Sequence, residues 1–360
     1  MTSIKVAILD DYQGFADPYF DKLDSEKYQV VSIKDTVLPY NHPENPQSGK
    51  DALVKRLQPF DVICTMRERT PFPADLIARL PALKLFLSTG LRNKALDLAA
   101  FKERGIPVAG TVDKLRTDKK TVGTDSTTQH CITLILALAR DVASDDAAIK
   151  DGGWQTGFAT GLAGKTLGVV GLGRLGTNVA KIMNVAFGMK VIAWSTNLTQ
   201  EAADEKAREA GLAVEDSDGE KTFKAVSRDQ LFSDADVVSL HVVLSERSRG
   251  MITSHDLTQM KKSSFFVNTS RGPLVVERDL LDHLKAGRIR GAALDVFDLE
   301  PLPADSEWRR KTWGRDGSSR VLLTPHMGYV EEGTMGSWYE QQVGNITRWA
   351  AKESLQNVLT

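Results

Sequence analysis

Neither sign of charge is in excess: 46 Lys and Arg stand against 47 Asp and Glu in 360 residues. No net field would hold nucleic acid or an anionic membrane against such a surface, so a small ligand is the partner to look for. Cysteine is scarce as well. Cys64 lies in "DVICTM" and Cys131 in "HCITLILALAR", both inside apolar runs, which reads as two small core side chains rather than a disulfide or a metal pair. Nor is there an apolar run near the roughly 20 residues needed to cross a bilayer. The longest, "CITLILALA", is followed by Arg140 and Asp141 and reads as a buried helix. A targeting leader is missing too: "MTSIKVAILDDYQ" enters a strand pattern at once, so the cytosol is the expected compartment.

What is present is alternation. Short runs rich in Val and Ile are separated by longer amphipathic stretches, the pattern of βαβ units in a parallel sheet covered on both faces. A first set comprises "KVAILD", "YQVVSI", "DVICTM", "KLFLST" and "PVAG". A second comprises "TLGVVG", "KVIAWS", "VVSLHV", "FFVNTS", "GAALDV" and "RVLLTP". The polar stretch "TVDKLRTDKKTVGTDSTTQ" between the sets is a candidate crossing between domains. After the last strand, "YEQQVGNITRWAAKESL" has the pattern of one amphipathic helix, too short for a domain and expected to return to the first. The α/β class therefore resolves into two doubly wound parallel-sheet domains. Residues 1–122 and 327–360 form the first, and 123–326 form a second inserted in it.

The second set opens on "GVVGLGRLGTNVAKIM". Gly171 permits a tight turn after the strand, Gly173 lets backbone approach a pyrophosphate, and Gly176 allows the following helix to pack closely on the strand. Arg174 and Leu175 complete the turn, whose helix N-terminus offers N–H groups and a positive dipole end to phosphates. This is a Rossmann-type dinucleotide site. In the usual NAD arrangement an acid about 20 residues on bonds the adenosine ribose and repels the 2′-phosphate of NADP. Ser195 stands 19 residues past Gly176 where that acid is expected, followed by Thr196 and Asn197. Without the repulsion, NADP(H) is expected to be slightly favoured over NAD(H).

Ligands of an open α/β sheet bind beyond the carboxyl ends of its strands. There Arg271 follows "FFVNTS", Glu300 follows "GAALDVFD" and His326 follows "RVLLTP". A guanidinium fork suits the carboxylate and carbonyl of a 2-oxo acid. His326 can supply a proton to the alkoxide left by hydride delivery, and a carboxylate beside it would orient the ring and favour its charged form. His241 and Thr269, also just past strands, are further candidates for the cofactor. Arg67 and Arg69 in "TMRERTPFP" follow a strand of the first domain and suit a second anionic group, with an exposed ion pair as the alternative.

From "LAGKTLGVVGLGRLG" through "DADVVSLHVVLSERSRGMI", "NTSRGPLVVERDLL", "GAALDVFDLEPLP" and "LLTPHMGYV", the chain resembles the D-2-hydroxyacid dehydrogenase family. The resemblance implies interconversion of a 2-oxo acid and a D-2-hydroxy acid by hydride transfer without metal. Arg271, Glu300 and His326 would be the catalytic trio and Asp295 would hold the nicotinamide carboxamide. Thr89 and Gly90 in "LSTGLRN" would offer backbone N–H groups to the substrate carboxylate. A flavodoxin-like substrate domain carrying the inserted dinucleotide domain, and a homodimer, are implied by the same route. The family's "GVGxDNID"-like loop reads "GLRNKALD" here, with Arg92 and Lys94 beside it, and its Ala-Glu-His is Thr128, Gln129 and His130. An alternative on the same fold is a dinucleotide-sensing, co-repressor-like protein with little turnover. Formate dehydrogenase is disfavoured because its pattern has Gln where Glu300 stands.

Overall fold

The structure is a computed structural model and describes residues 3–112 and 124–360. The chain divides into two compact units, Met1–Val122 with Glu331–Thr360, and Gly123–Val330. The return crossing falls at Glu331, a few residues beyond the expected 327. Residues 113–123 of the polar crossing stretch lie outside the described residues.

The first unit holds β1 (Ile4–Leu9), β2 (Tyr28–Ile33), β3 (Val62–Cys64), β4 (Leu85–Leu87) and β5 (Val108–Ala109). All pair in parallel in the order β2-β1-β3-β4-β5, the flavodoxin-like arrangement with its switch point between β1 and β3. Buried Ile63, Phe72, Phe86, Phe101 and Val108 share one core with the helices that cross over the sheet. The C-terminal helix, Glu332–Ala350, starts seven residues before its apolar pattern suggests, at the turn where the Glu331 carboxylate accepts the N–H groups of Gly333 (2.6 Å) and Thr334 (2.9 Å). Gly336 within it is needed for contact rather than for a turn, since a Cβ there would lie 2.2 Å from the Tyr19 hydroxyl.

The second unit holds β6 (Thr166–Val170), β7 (Lys190–Trp194), β8 (Phe223–Ala225), β9 (Val237–Leu240), β10 (Phe265–Asn268), β11 (Gly291–Leu294) and β12 (Arg320–Leu323). Their order, β12-β11-β10-β9-β6-β7-β8, is doubly wound about a switch point between β6 and β9. Strand alternation builds two cores. Leu167, Val169, Val237, Phe265 and Val267 face the helices Ser126–Arg140 and Arg174–Phe187, while Val170, Val238, Leu240, Phe266 and Ala292 face Ser254–Gln259 and Glu277–Lys285. The apolar run around Cys131 is the buried helix its composition suggests, with Cys131, Leu134, Ile135 and Leu138 on one stripe. Because β9, β6, β10, β11 and β12 are all parallel, the residues after each emerge at one edge of the sheet. Among the described residues no helix is long and apolar enough to cross a membrane.

Candidate active site

At the switch point the chain leaves β6 through Gly171, at φ +98°, where a Cβ would come within 3.0 Å of the His241 carbonyl. Gly173 precedes the helix Arg174–Phe187, and a Cβ there would meet nothing within 4 Å, so this face of the turn is open. Gly176 lies so close beneath that a Cβ would be 2.2 Å from the Gly171 carbonyl oxygen. As in any helix, the first-turn N–H groups have no partner within the helix and carry its positive dipole end. A pyrophosphate fits this cradle in charge and in space. The Arg174 guanidinium stands at its rim and donates to Asp125 Oδ2 at 2.7 Å. Ser195 is half-buried at the end of β7, and Thr196 and Asn197 are exposed. From the neighbouring element Arg228 lays its guanidinium 5.3 Å from the Trp194 ring centroid while forking onto buried Asp256 at 2.6 and 2.8 Å.

His241 continues the edge after β9. Its N–H donates to the Val170 carbonyl at 2.8 Å and its Nε2 meets the Ser239 hydroxyl at 2.9 Å. Burial pushes its pKa down to about 4, so the ring is neutral near pH 7. Thr269 is buried just past β10.

The loops after β10, β11 and β12 are tied to one another by backbone. Arg271 is held where Asn268 Nδ2 donates to its carbonyl (3.0 Å) and its own Nη1 donates to the Ser270 carbonyl (2.7 Å). A Cβ on the next residue, Gly272, would lie 2.0 Å from the Phe297 carbonyl carbon, so the two loops touch main chain to main chain. Phe297 N–H in turn donates to Glu300 Oε1 at 2.9 Å, and His326 Nδ1 donates to Glu300 Oε2 at 2.5 Å. His326 and Glu300 keep 18% and 26% of their side chains exposed, so the pair is reachable. With Nδ1 engaged, Nε2 is the nitrogen left to exchange a proton outward.

His326 adopts φ 55°, which costs backbone energy and persists only if its surroundings impose it. Asp295 imposes it. Its carbonyl accepts the His326 N–H (2.8 Å), and its carboxylate accepts Met327 N–H (2.7 Å), Gly328 N–H (3.0 Å), the Thr324 hydroxyl (2.6 Å) and His130 Nε2 (3.1 Å). Burial alone would raise this carboxyl, but the bonds from His130, Thr324 and Met327 outweigh it and hold it below the usual carboxylate range. The Asp295 carboxylate thus anchors the His326 loop, with three of its bonds on Oδ1 and one, from Gly328, on Oδ2.

A sequence model described as "D-isomer specific 2-hydroxyacid dehydrogenase, NAD binding domain" matches residues 132–328. The chain belongs to this family. Hydroxypyruvate reductase of Thermotoga maritima is 34% identical over 86% of the chain and 89% of the relative. Glyoxylate reductase of Thermococcus litoralis is 29% identical over 93% and 91%. A phosphoglycerate oxidoreductase structure from Vibrio cholerae superposes with a TM-score of 0.79 at 31% identity, covering 97% of this chain and 99% of that one. This D-2-hydroxyacid dehydrogenase family member is thus an oxidoreductase with the family's NAD-binding domain in its second unit.

In the first unit of the dehydrogenase, Thr89, Gly90, Arg67 and Arg69 lie in loops that follow β3 and β4. The Gly90 N–H, at φ +81°, donates to the Thr111 hydroxyl at 2.9 Å. Thr89 is fully buried, its hydroxyl accepting the Arg67 N–H at 2.7 Å. Arg67, at φ 53°, brings a terminal guanidinium nitrogen within 2.6 Å of where a Gly90 Cβ would lie, and it pairs with Glu68 at 3.7 Å. Arg69 lies 4.6 Å from the Tyr12 ring centroid. Three residues of the second unit carry no motif of their own and escaped the sequence reading. Asp125 caps the helix Ser126–Arg140, and Thr324 donates to Asp295. Asp298, pushed up to about 6 by burial and by the charge of Glu277, with Arg249 opposing, sits two residues before Glu300.

Proposed function

We propose that the chain interconverts a 2-oxo acid and a D-2-hydroxy acid with NAD(P)(H). The observation carrying this is the His326–Glu300 contact at 2.5 Å, on a loop packed against that of Arg271, at the same sheet edge as the glycine cradle. Arg271 binds the substrate carboxylate as a fork and polarises the adjacent carbonyl. His326 gives its Nε2 proton to the forming alkoxide in reduction and takes it back in oxidation, while Glu300 orients the ring and balances its charge. The bound nicotinamide supplies or accepts the hydride. Gly171, Gly173, Arg174, Leu175 and Gly176 hold the pyrophosphate, Ser195, Thr196 and Asn197 meet the adenosine ribose, and His241, Thr269 and the rim of Asp295 line the nicotinamide end. Arg67 remains a candidate for a distal anionic group of the substrate.

Reduction of glyoxylate, hydroxypyruvate, phenylpyruvate and branched 2-oxo acids, each with NADH and NADPH, tests this. The named activities of the similar relatives make the two smallest the first expected substrates. NADPH is expected to match or modestly exceed NADH in kcat/KM, because no carboxylate at 195–197 repels a 2′-phosphate and the Arg228 guanidinium stands beside Trp194. A strong NADH preference would sink the cofactor assignment, and inactivity across the panel would sink the reaction.

A homodimer is part of the same proposal. The helix Val142–Lys150 and the loop after it expose Val142, Ile149, Trp154 and Phe158, the last two by 74% and 88%. Four large apolar side chains on one short stretch favour a covered face. Sedimentation equilibrium is expected to give twice 39.5 kDa. Phe158→Asp should shift it toward one copy, and a monomeric parent chain would refute the dimer.

A further inference from the structure

Beside the glycine cradle stands a fixed anion. Asp125 accepts the Thr128 N–H on Oδ1 (3.1 Å), and on Oδ2 it takes the Thr128 hydroxyl (3.0 Å) and the Arg174 guanidinium (2.7 Å), with Asn178 Nδ2 at 3.4 Å. Capping the helix Ser126–Arg140 pins this carboxylate in place. Arg174 opens the helix behind the glycine turn, and Asn178 lies one turn further along. Burial would raise the Asp125 pKa, but the Thr128 N–H and the Arg174 charge outweigh it and keep the group ionised. The cap itself does not require a charge, since Asn or Ser would serve as well. What the aspartate adds is a negative charge on the guanidinium nearest the phosphate-facing end of a helix.

We propose that Asp125 is a built-in competitor for Arg174, weakening dinucleotide binding and speeding dinucleotide release. The inference rests on the reading of the glycine turn as the pyrophosphate site. Two effects act in the same direction. Arg174 cannot give the same N–H to Asp125 and to a phosphate oxygen, and a fixed carboxylate repels phosphate charges arriving beside it. Asp125 therefore sets residence time, while the cradle sets placement.

Asp125→Asn keeps the cap and removes the charge. Titration of the full chain by NADH and NADPH fluorescence is expected to show a Kd lower by about fivefold for both, the scale of one exposed ion pair. Stopped-flow displacement should show slower dissociation by a similar factor, and the difference should shrink as salt screens it. An unchanged or higher Kd in a variant with the parent's Tm would overturn the proposal, because Asp125 would then be idle or would be preorganising Arg174. Should the Asn variant fail to fold, Asp125→Ser makes the same test with another capping side chain. A parent chain that binds neither dinucleotide would overturn the underlying reading itself, an outcome distinct from a parent that binds and a variant that does not improve.

Discussion

His326→Asn is expected to lower 2-oxo acid reduction by about 10³-fold while leaving dinucleotide affinity within about twofold. Asparagine suits the position as a control. It tolerates the left-handed backbone that His326 adopts at φ 55°, and its amide can still donate toward Glu300. The Asp295 bonds that shape the loop reach backbone groups of residues 326–328, so they survive the change. Only the exchangeable ring proton is lost. A variant retaining activity within about tenfold of the parent would remove His326 from the chemistry.

The pH profile sharpens the test. With His326 as the proposed acid, reduction uses its proton and oxidation its free base, so the pH dependence of parent kcat/KM should run in opposite senses in the two directions. Asp298, with its pKa pushed up to about 6, titrates on the loop that carries Glu300 and would imitate part of such a curve. The sign separates the two. Raising the pH adds negative charge at Asp298 in both reaction directions alike, whereas His326 drives the directions oppositely. In His326→Asn the opposed limbs should vanish and a common one should remain.

Much of this arrangement is legible in the sequence because buried parallel strands announce themselves. "YQVVSI" coincides with β2, and the other runs overshoot their strands by a residue or two where the chain turns polar at the active edge. β8 was missed. It is a three-residue edge strand with only Phe223 buried, too short for any periodicity to register. The early start of the C-terminal helix escaped for a different reason: Gly333 and Gly336 weaken helical propensity there, and the close approach to Tyr19 that requires Gly336 is a tertiary fact. At the site, Arg271, Glu300 and His326, the residues proposed for the chemistry, stood out at strand ends. Their supports did not, because Asp125, His130 and Thr324 take their meaning from partners distant in sequence, such as the 165-residue separation between His130 and Asp295. Gly90 illustrates the converse. Its loop position was legible, but the donation of its N–H to Thr111 depends on the neighbouring strand's end.

Arg271→Lys is expected to reduce kcat/KM by on the order of 10², through both KM and kcat, with dinucleotide affinity and Tm unchanged. The loop that carries Arg271 is set by main-chain contacts: Asn268 bonds its carbonyl, Ser270 Oγ bonds the Leu240 carbonyl at 2.7 Å, and Gly272 abuts Phe297. None of these depends on the guanidinium, so a stability loss is not the expected consequence. What lysine cannot reproduce is a planar fork reaching a carboxylate with two parallel N–H groups while polarising the neighbouring carbonyl oxygen. A purely structural guanidinium would behave differently: the lysine variant would lose Tm and keep its KM. Arg271→Ala extends the distinction, because free guanidinium added to the assay should restore part of the turnover if the missing group acts on substrate, and should do nothing, or only denature, if Arg271 merely braces Ser270. Loss of rescue together with an unaltered KM would assign substrate binding to another cation, and Arg67 beside Gly90 would be the first to test.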